Sequence, residues 1–248
     1  MTTFSTDVGS WTTDWQRWHE ERVATAGAPH GTAALTTTTW LGEHPSEVDG
    51  LPGLWAVAGD AVVSFVLPEV VSLAVGEELK FGELVLRVIR RQEVTALRVF
   101  DPAAPRRLAL IGIGTFPLDP DWVVPARFEP AAAGSKIQIA HVDGRVSDDR
   151  LAGTVRLSIA GHDVALAAFP AAGGGLQITF ADTTNGSASQ QFRFLALPAP
   201  DADGNVIADF NRAYLPPCAF SDHYLCPIPP AQNRLPFAVT AGETFALT

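Results

Sequence analysis

The sequence predicts a mainly β protein: an N-terminal helix, then two antiparallel β modules, one sandwich-like and one barrel-like, closed by a proline-rich C-terminal loop. Three observations carry this. From residue 32 onward, short apolar runs recur between Gly-Asp, Gly-Glu and Arg-Gln breaks, which is the punctuation of antiparallel strands. Helical spacing is confined to one stretch before Gly27. Proline concentrates in two regions, residues 101–130 and 209–235.

The helix covers Trp15 to Ala26, where Trp15, Trp18, Arg22 and Ala26 recur at helical spacing. Thr13 or Asp14 can cap it, and Gly27, Pro29 and Gly31 stop it. Trp11, Trp15 and Trp18 read as the packed face of an amphipathic lid before they read as a ligand-stacking face. The first β series runs Leu54 to Val57, Val62 to Leu67, Val70 to Val75, Leu84 to Ile89 and Thr95 to Phe100. Turns at 58–60 and 82–83 join neighbouring strands as hairpins.

Residues 101–130 hold six prolines and should run along an edge or between sheets, because proline donates no backbone hydrogen bond. The next boundary falls at 131–135. The expected organisation is therefore a helical segment (1–31), a first β module with its bridge (32–130) and a second β module with the C-terminal loop (131–248). Strands of the second series are Lys136 to Val142, Gly153 to Ile159, His162 to Phe169, Leu176 to Phe180, Ser189 to Leu197 and Val206 to Phe210. Gly173 to Gly175 forms a hairpin tip, and no helix follows it as a phosphate loop would require.

Composition narrows the function classes. The chain has 248 residues, 47% of them hydrophobic, enough for a buried core. A formal charge of −10 argues against a nucleic-acid surface, which needs Lys and Arg to meet phosphates, and against a basic membrane patch. The first residues carry no basic start and apolar run, and the most apolar region, 51–76, is broken by Asp60, Pro68 and Glu69. The expectation is a cytoplasmic protein with no membrane and no nucleic-acid partner.

Chemistry concentrates in Asp209 to Leu235. Both tyrosines, Tyr214 and Tyr224, and both cysteines, Cys218 and Cys226, fall there, with Asp209, Asn211, Arg212, His223, Asn233 and Arg234. The intervening prolines restrict the unfolded chain, so an irregular segment can hold a fixed shape. Such a loop serves equally as a binding site or as a plug closing a β structure. Asp209 and Tyr214 are candidate hydrogen-bonding or acid–base groups, and Arg212 a candidate anion anchor. The structural alternative has Asp209 capping a turn and Arg212 pairing with a carboxylate. Asp182, in the turn 180–186, joins a site if that turn lies beside the loop.

The cysteines read first as packed, reduced thiols, with a short-loop disulfide as the alternative. Cys218, His223 and Cys226 lack the four ligands and the spacing of a structural zinc site, so no metal is assigned. Recognised hydrolase, metalloprotease and phosphate-loop motifs are absent, and no cofactor follows from the residues.

The segments Trp40-Leu41, Gly82 to Asp101, Phe116 to Asp119 with Trp122, Phe180 to Gly186, and DFNRAYLPPCAF with CPIPPAQNRL resemble a bacterial family catalogued as domain of unknown function number sixteen-eighty-four. The resemblance runs from about Trp15 to Glu243 and brings no activity with it. It implies that Leu51 to Asp101 form a degenerate forkhead-associated β-sandwich, without the Arg and Ser series that grips phosphothreonine; Arg87, Arg90 and Arg91 lie too late for that role. Asp209, Asn211, Arg212, Tyr214, Cys218, Cys226, Asn233 and Arg234 fit the family pattern. The expected function is small-molecule binding, with catalysis left open, at the C-terminal loop on the second β module; the alternative is a protein-interaction module.

Overall fold

A computed structural model describes residues 8–65 and 70–248. The expected readings of residues 1–7, of the end of the run 62–67, and of the breaks at Pro68 and Glu69 lie wholly or partly outside the described residues. Helix α1 (Val8–Gly27) starts earlier than the tryptophan spacing alone suggests. Thr13 and Asp14 therefore lie inside it and do not cap it. The Thr13 hydroxyl donates to the Gly9 carbonyl at 3.0 Å, the i−4 back-bond open to a mid-helix threonine, and Asp14 pairs with Arg17.

The chain forms two compact units. The N-terminal unit comprises residues 20–110, 220–224 and Thr248. Its strands are β1 (Leu35–Leu41), β2 (Leu54–Ala58), β3 (Ala61–Phe65), β4 (Ser72–Ala74), β5 (Glu78–Phe81), β6 (Leu84–Arg91) and β7 (Val94–Phe100), followed by the short helix α2 (Pro105–Ala109). They make two antiparallel sheets, in the orders β1-β7-β6-β5 and β2-β3-β4. Trp55, Val62 and Leu73 from one sheet pack with Leu86, Val88, Leu97 and Val99 from the other, which is the sandwich the apolar runs anticipated. Gly59 and Gly82, at φ of 62° and 63°, make the two hairpin turns.

The C-terminal unit comprises residues 8–19 of those described, 111–219 and 225–247. Its strands are β8 (Gly112–Thr115), β9 (Val123–Pro130), β10 (Lys136–Ala140), β11 (Val146–Arg150), β12 (Gly153–Ile159), β13 (His162–Pro170), β14 (Leu176–Phe180), β15 (Arg193–Leu197), β16 (Asn205–Asp209) and β17 (Glu243–Leu247). Six of them form one antiparallel sheet in the order β15-β14-β13-β12-β9-β16; β10–β11 and β8–β17 are separate two-stranded ribbons. This places residues 111–130 with the second β series.

The last part of the proline-rich stretch, expected along an edge or between sheets, is a strand within a sheet. Strand β9 lies inside the six-stranded sheet, between β12 and β16. Its prolines avoid the cost of a missing donor by position. Pro125 pairs with Ile207 of β16 but lies beyond the β12 pairing, which begins at Ala126, and Pro130 ends the strand opposite Gly153. Val155, Leu166, Ile178, Phe180, Leu195 and Phe210 centre the core on one face of this sheet. No helix among the described residues is long and apolar enough to cross a membrane.

Candidate functional site

The C-terminal stretch singled out by sequence divides between framework and pocket. Asp209 ends β16 and accepts the Asn211 backbone N–H at 3.0 Å, capping a turn of 3-10 helix. Its other carboxylate oxygen accepts the Trp11 indole N–H at 3.1 Å and lies 3.6 Å from Arg212 Nε. Arg212 also sits over the Trp18 ring at 5.7 Å. Asn211 is fully buried. Its Oδ1 accepts from Asp119 N at 3.0 Å, and its Nδ2 donates to Asp119 O at 2.9 Å.

Asn233 behaves in the same way. Strands β13 and β14 pair only at Phe169–Gln177 and Pro170–Leu176, then part. Into the gap comes Asn233, whose Oδ1 accepts Ala167 N at 2.7 Å while Nδ2 donates to the carbonyls of Ala167 and Thr179 at 3.0 and 2.9 Å. The next residue, Arg234, is exposed.

Asp182 lies in a buried ion pair with Arg193, 2.8 Å from Nη2. Asp182 Oδ1 also accepts the N–H groups of Thr184 and Val239, and Arg193 donates to the carbonyls of Val239, Ala241 and Glu243. Burial pushes the Arg193 guanidinium below its ordinary value, with the charge and hydrogen bond of Asp182 opposing. Cys218 and Cys226 form no disulfide, and the Cys218 N–H donates to Cys226 Sγ at 3.3 Å. No group of three His, Cys, Asp or Glu side chains among the described residues is arranged to hold a metal ion. His223 contributes to the N-terminal unit, where its carbonyl accepts the Thr38 hydroxyl at 2.8 Å.

Tyr214 leads elsewhere. Its hydroxyl donates to Gln177 Oε1 at 2.8 Å, and Gln177 lines a pocket of about 400 Å³. The pocket lies within the C-terminal unit and has three walls. The first is the face of β13 and β14 turned away from the core: Phe169 and Gln177 are cross-strand partners, and Thr179 lies two residues along on the Gln177 side. Leu176, Ile178 and Phe180 point the other way, into the core.

The β10–β11 ribbon supplies the second wall through Ile139 and Asp149, with the exposed Asp148 and Arg150 at the rim. Pro227, Ile228 and Pro230 of the signature make the third. The second and third walls are stitched together by Ile228 N to Ala140 O at 2.8 Å and Val142 N to Cys226 O at 3.2 Å. The signature thus runs beside the ribbon as an irregular third strand, held in shape by its prolines.

A polar chain is built into the ribbon wall. His141 Nε2 lies 2.7 Å from Ser147 Oγ, and Ser147 donates to Asp149 Oδ1 at 2.6 Å. His141 and Ser147 are buried, and Asp149 reaches the pocket. Sequence reasoning passed over all three, and over Gln177 and Thr179. The available signal was the alternation in VSDDR (146–150), which sets Ser147 and Asp149 on one face of a strand.

Fold and pocket define a class: a mainly β protein whose larger unit carries a concave site walled by a ribbon, a sheet face and a proline-rich segment. The chain belongs to the family described as "Protein of unknown function (DUF1684)", whose model matches residues 109–244. The match thus begins beyond the first β module. Among solved structures, the chain is similar to an uncharacterized protein of Haloarcula marismortui determined by solution NMR. The two share 34% identity over 54% of this chain and 76% of that one, with a TM-score of 0.44. No curated protein matches the chain.

Proposed function

We propose that this protein binds a small molecule in the pocket between the β10–β11 ribbon, the β13–β14 face and residues 227–230. The observation that carries the reading is the lining itself. A volume of about 400 Å³ lies within the range of small-molecule sites, and apolar groups from Ile139, Phe169, Pro227, Ile228 and Pro230 surround a few polar ones. Within this reading Tyr214 orients Gln177, and the signature prolines hold the third wall. Asp182, Asp209, Asn211, Arg212 and Asn233 serve as the frame, since their side chains are already committed to the protein's own groups.

The forkhead-associated reading of residues 51–101 rests on the family resemblance alone, since the family match begins at residue 109, and it adds no ligand of its own. Arg87 pairs with Glu78, and Arg90 pairs with Asp60 at 2.9 Å.

A fragment screen by protein-observed two-dimensional NMR tests the reading. Hits should perturb the backbone amides of Ile139, Gln177 and Thr179. Ile228→Trp, which adds bulk at the half-buried third wall, should remove those shifts while leaving the far-ultraviolet spectrum of the fold intact. Hits that map elsewhere, or that survive the tryptophan, reject the pocket.

A further inference from the structure

We propose that the pocket is built for a cationic amine carried on an apolar or aromatic body, with the Asp149 carboxylate as its counter-ion; this rests on the pocket being the binding site. Four observations converge. Asp149 is a pocket-lining carboxylate that makes no ion pair among the described residues. Ser147 occupies its Oδ1 at 2.6 Å, which leaves Oδ2 for an incoming donor. Arg150, the one basic residue on the lining, is exposed and next along the strand, so its Cβ leaves the ribbon face opposite to that of Asp149, as does the Cβ of Asp148, a second carboxylate on the lining. Thr179, only 3% exposed, lines the same pocket with a hydroxyl that has no hydrogen-bond partner among the described residues.

The hydrogen-bond accounting fixes the carboxylate. A serine hydroxyl has one proton, and Ser147 gives it to Asp149. Its oxygen can then only accept from His141, which must carry a proton on Nε2. Every group in the chain thus points one way, from His141 through Ser147 to Asp149, and the acceptor end faces the pocket. A buried donor chain ending on a carboxylate holds that carboxylate in place with one oxygen turned to the pocket. A ligand ammonium would complete the charge, Thr179 would accept a second donor of the same head group, and the apolar body would rest on Phe169 and Ile228. Ser147 and His141 are positioning residues; Asp149 is the residue that touches the ligand.

Three probes of nearly equal size separate the alternatives: phenethylammonium, the neutral 2-phenylethanol and the anionic 3-phenylpropionate, titrated by two-dimensional NMR into the full chain. The amine should bind most tightly, with shifts at Ile139 and Thr179. Asp149→Asn, which keeps the Ser147 hydrogen bond, should weaken the amine about tenfold and the alcohol little, the loss expected for a charge-assisted bond. Ser147→Ala should lower the amine-to-alcohol affinity ratio, a readout that general loosening of the ribbon would not change. If Asp149→Asn does not fold, the ranking of the three probes on the natural chain still decides. Tighter binding of the carboxylate, or equal binding of all three in the pocket, overturns the amine assignment and leaves the pocket standing. Failure of every probe together with failure of the fragment screen overturns both.

Discussion

At the scale of single residues, two asparagines act as peptide groups supplied by side chains. Asn233 fills the place where β13 and β14 stop pairing, and its amide satisfies one N–H and two carbonyls that a continuous ladder would have used. Replacing it by alanine strands all three in a buried setting. At about 1–3 kcal/mol for each unsatisfied group, Asn233→Ala should cost at least about 3 kcal/mol, read as a fall in the urea midpoint. Asn233→Asp should cost a comparable amount, because it retains the acceptor but loses both donors. The Arg193–Asp182 pair sets a second expectation. Arg193 also caps the carbonyls of Val239, Ala241 and Glu243, so Arg193→Met abandons three acceptors as well as the charge of Asp182. Removing one partner of a buried pair costs about 3–5 kcal/mol, and this variant should lie at or above that range. Asp182→Asn keeps an oxygen for Thr184 and Val239 and should be the milder change. Equal denaturation midpoints for the two variants would refute this ordering.

At the scale of elements, the legible strands were those with an apolar signature. Gly153 to Ile159 and Leu176 to Phe180 read from sequence with the ends that β12 and β14 have. Strand β11 escaped because VSDDR offers no apolar run; its inward residues are Ser147 and Asp149, which hydrogen-bond where others pack. Strand β9 escaped because its prolines argued for an edge. The candidate site was legible only in part for a related reason. Pro227, Pro230 and Tyr214 stand in the conspicuous stretch, but Asp149, Gln177 and Thr179 come from separate strands that only the sheet order brings together. Turn chemistry, being local, was easier to anticipate, and one turn has a pH signature. Asp201, at the turn before β16, accepts from the Asn205 side chain, from Asn205 N at 2.7 Å and from Asp203 N at 2.9 Å. These bonds, the Asn205 side chain foremost, favour the carboxylate and hold its pKa below the ordinary 3.8. A lowered folded value means stabilisation that is complete above the unfolded pKa and lost as pH falls through the folded one. Amide exchange at Asp203 and Asn205 should therefore stay slow at about pH 5 and accelerate only in stronger acid. Asp201→Asn should remove that acid step; an unchanged profile would show that the carboxylate does not hold the turn.

At the scale of the whole molecule, the charge of −10 and an isoelectric point near 4.9 mean that any ligand meets a field as well as a pocket. Such a field repels nucleic-acid phosphates and concentrates cations near the surface, so it acts in the same sense as Asp149. The two contributions differ in how they respond to salt. The contact with Asp149 lies in a partly enclosed wall and is screened weakly, whereas the long-range field is cut off as the screening length falls from about 30 Å at 0.01 M salt to about 8 Å at 0.15 M. Phenethylammonium should accordingly bind several-fold more weakly at the higher salt, with most of the change in the association rate. For 2-phenylethanol the two conditions should agree. Asp149→Asn should reduce amine affinity at both salt concentrations yet preserve much of the salt slope, since it removes one charge of a net ten. A slope that vanishes with that single substitution would place the whole electrostatic effect in the local pair, and a slope shared by amine and alcohol would remove charge from the account of binding altogether.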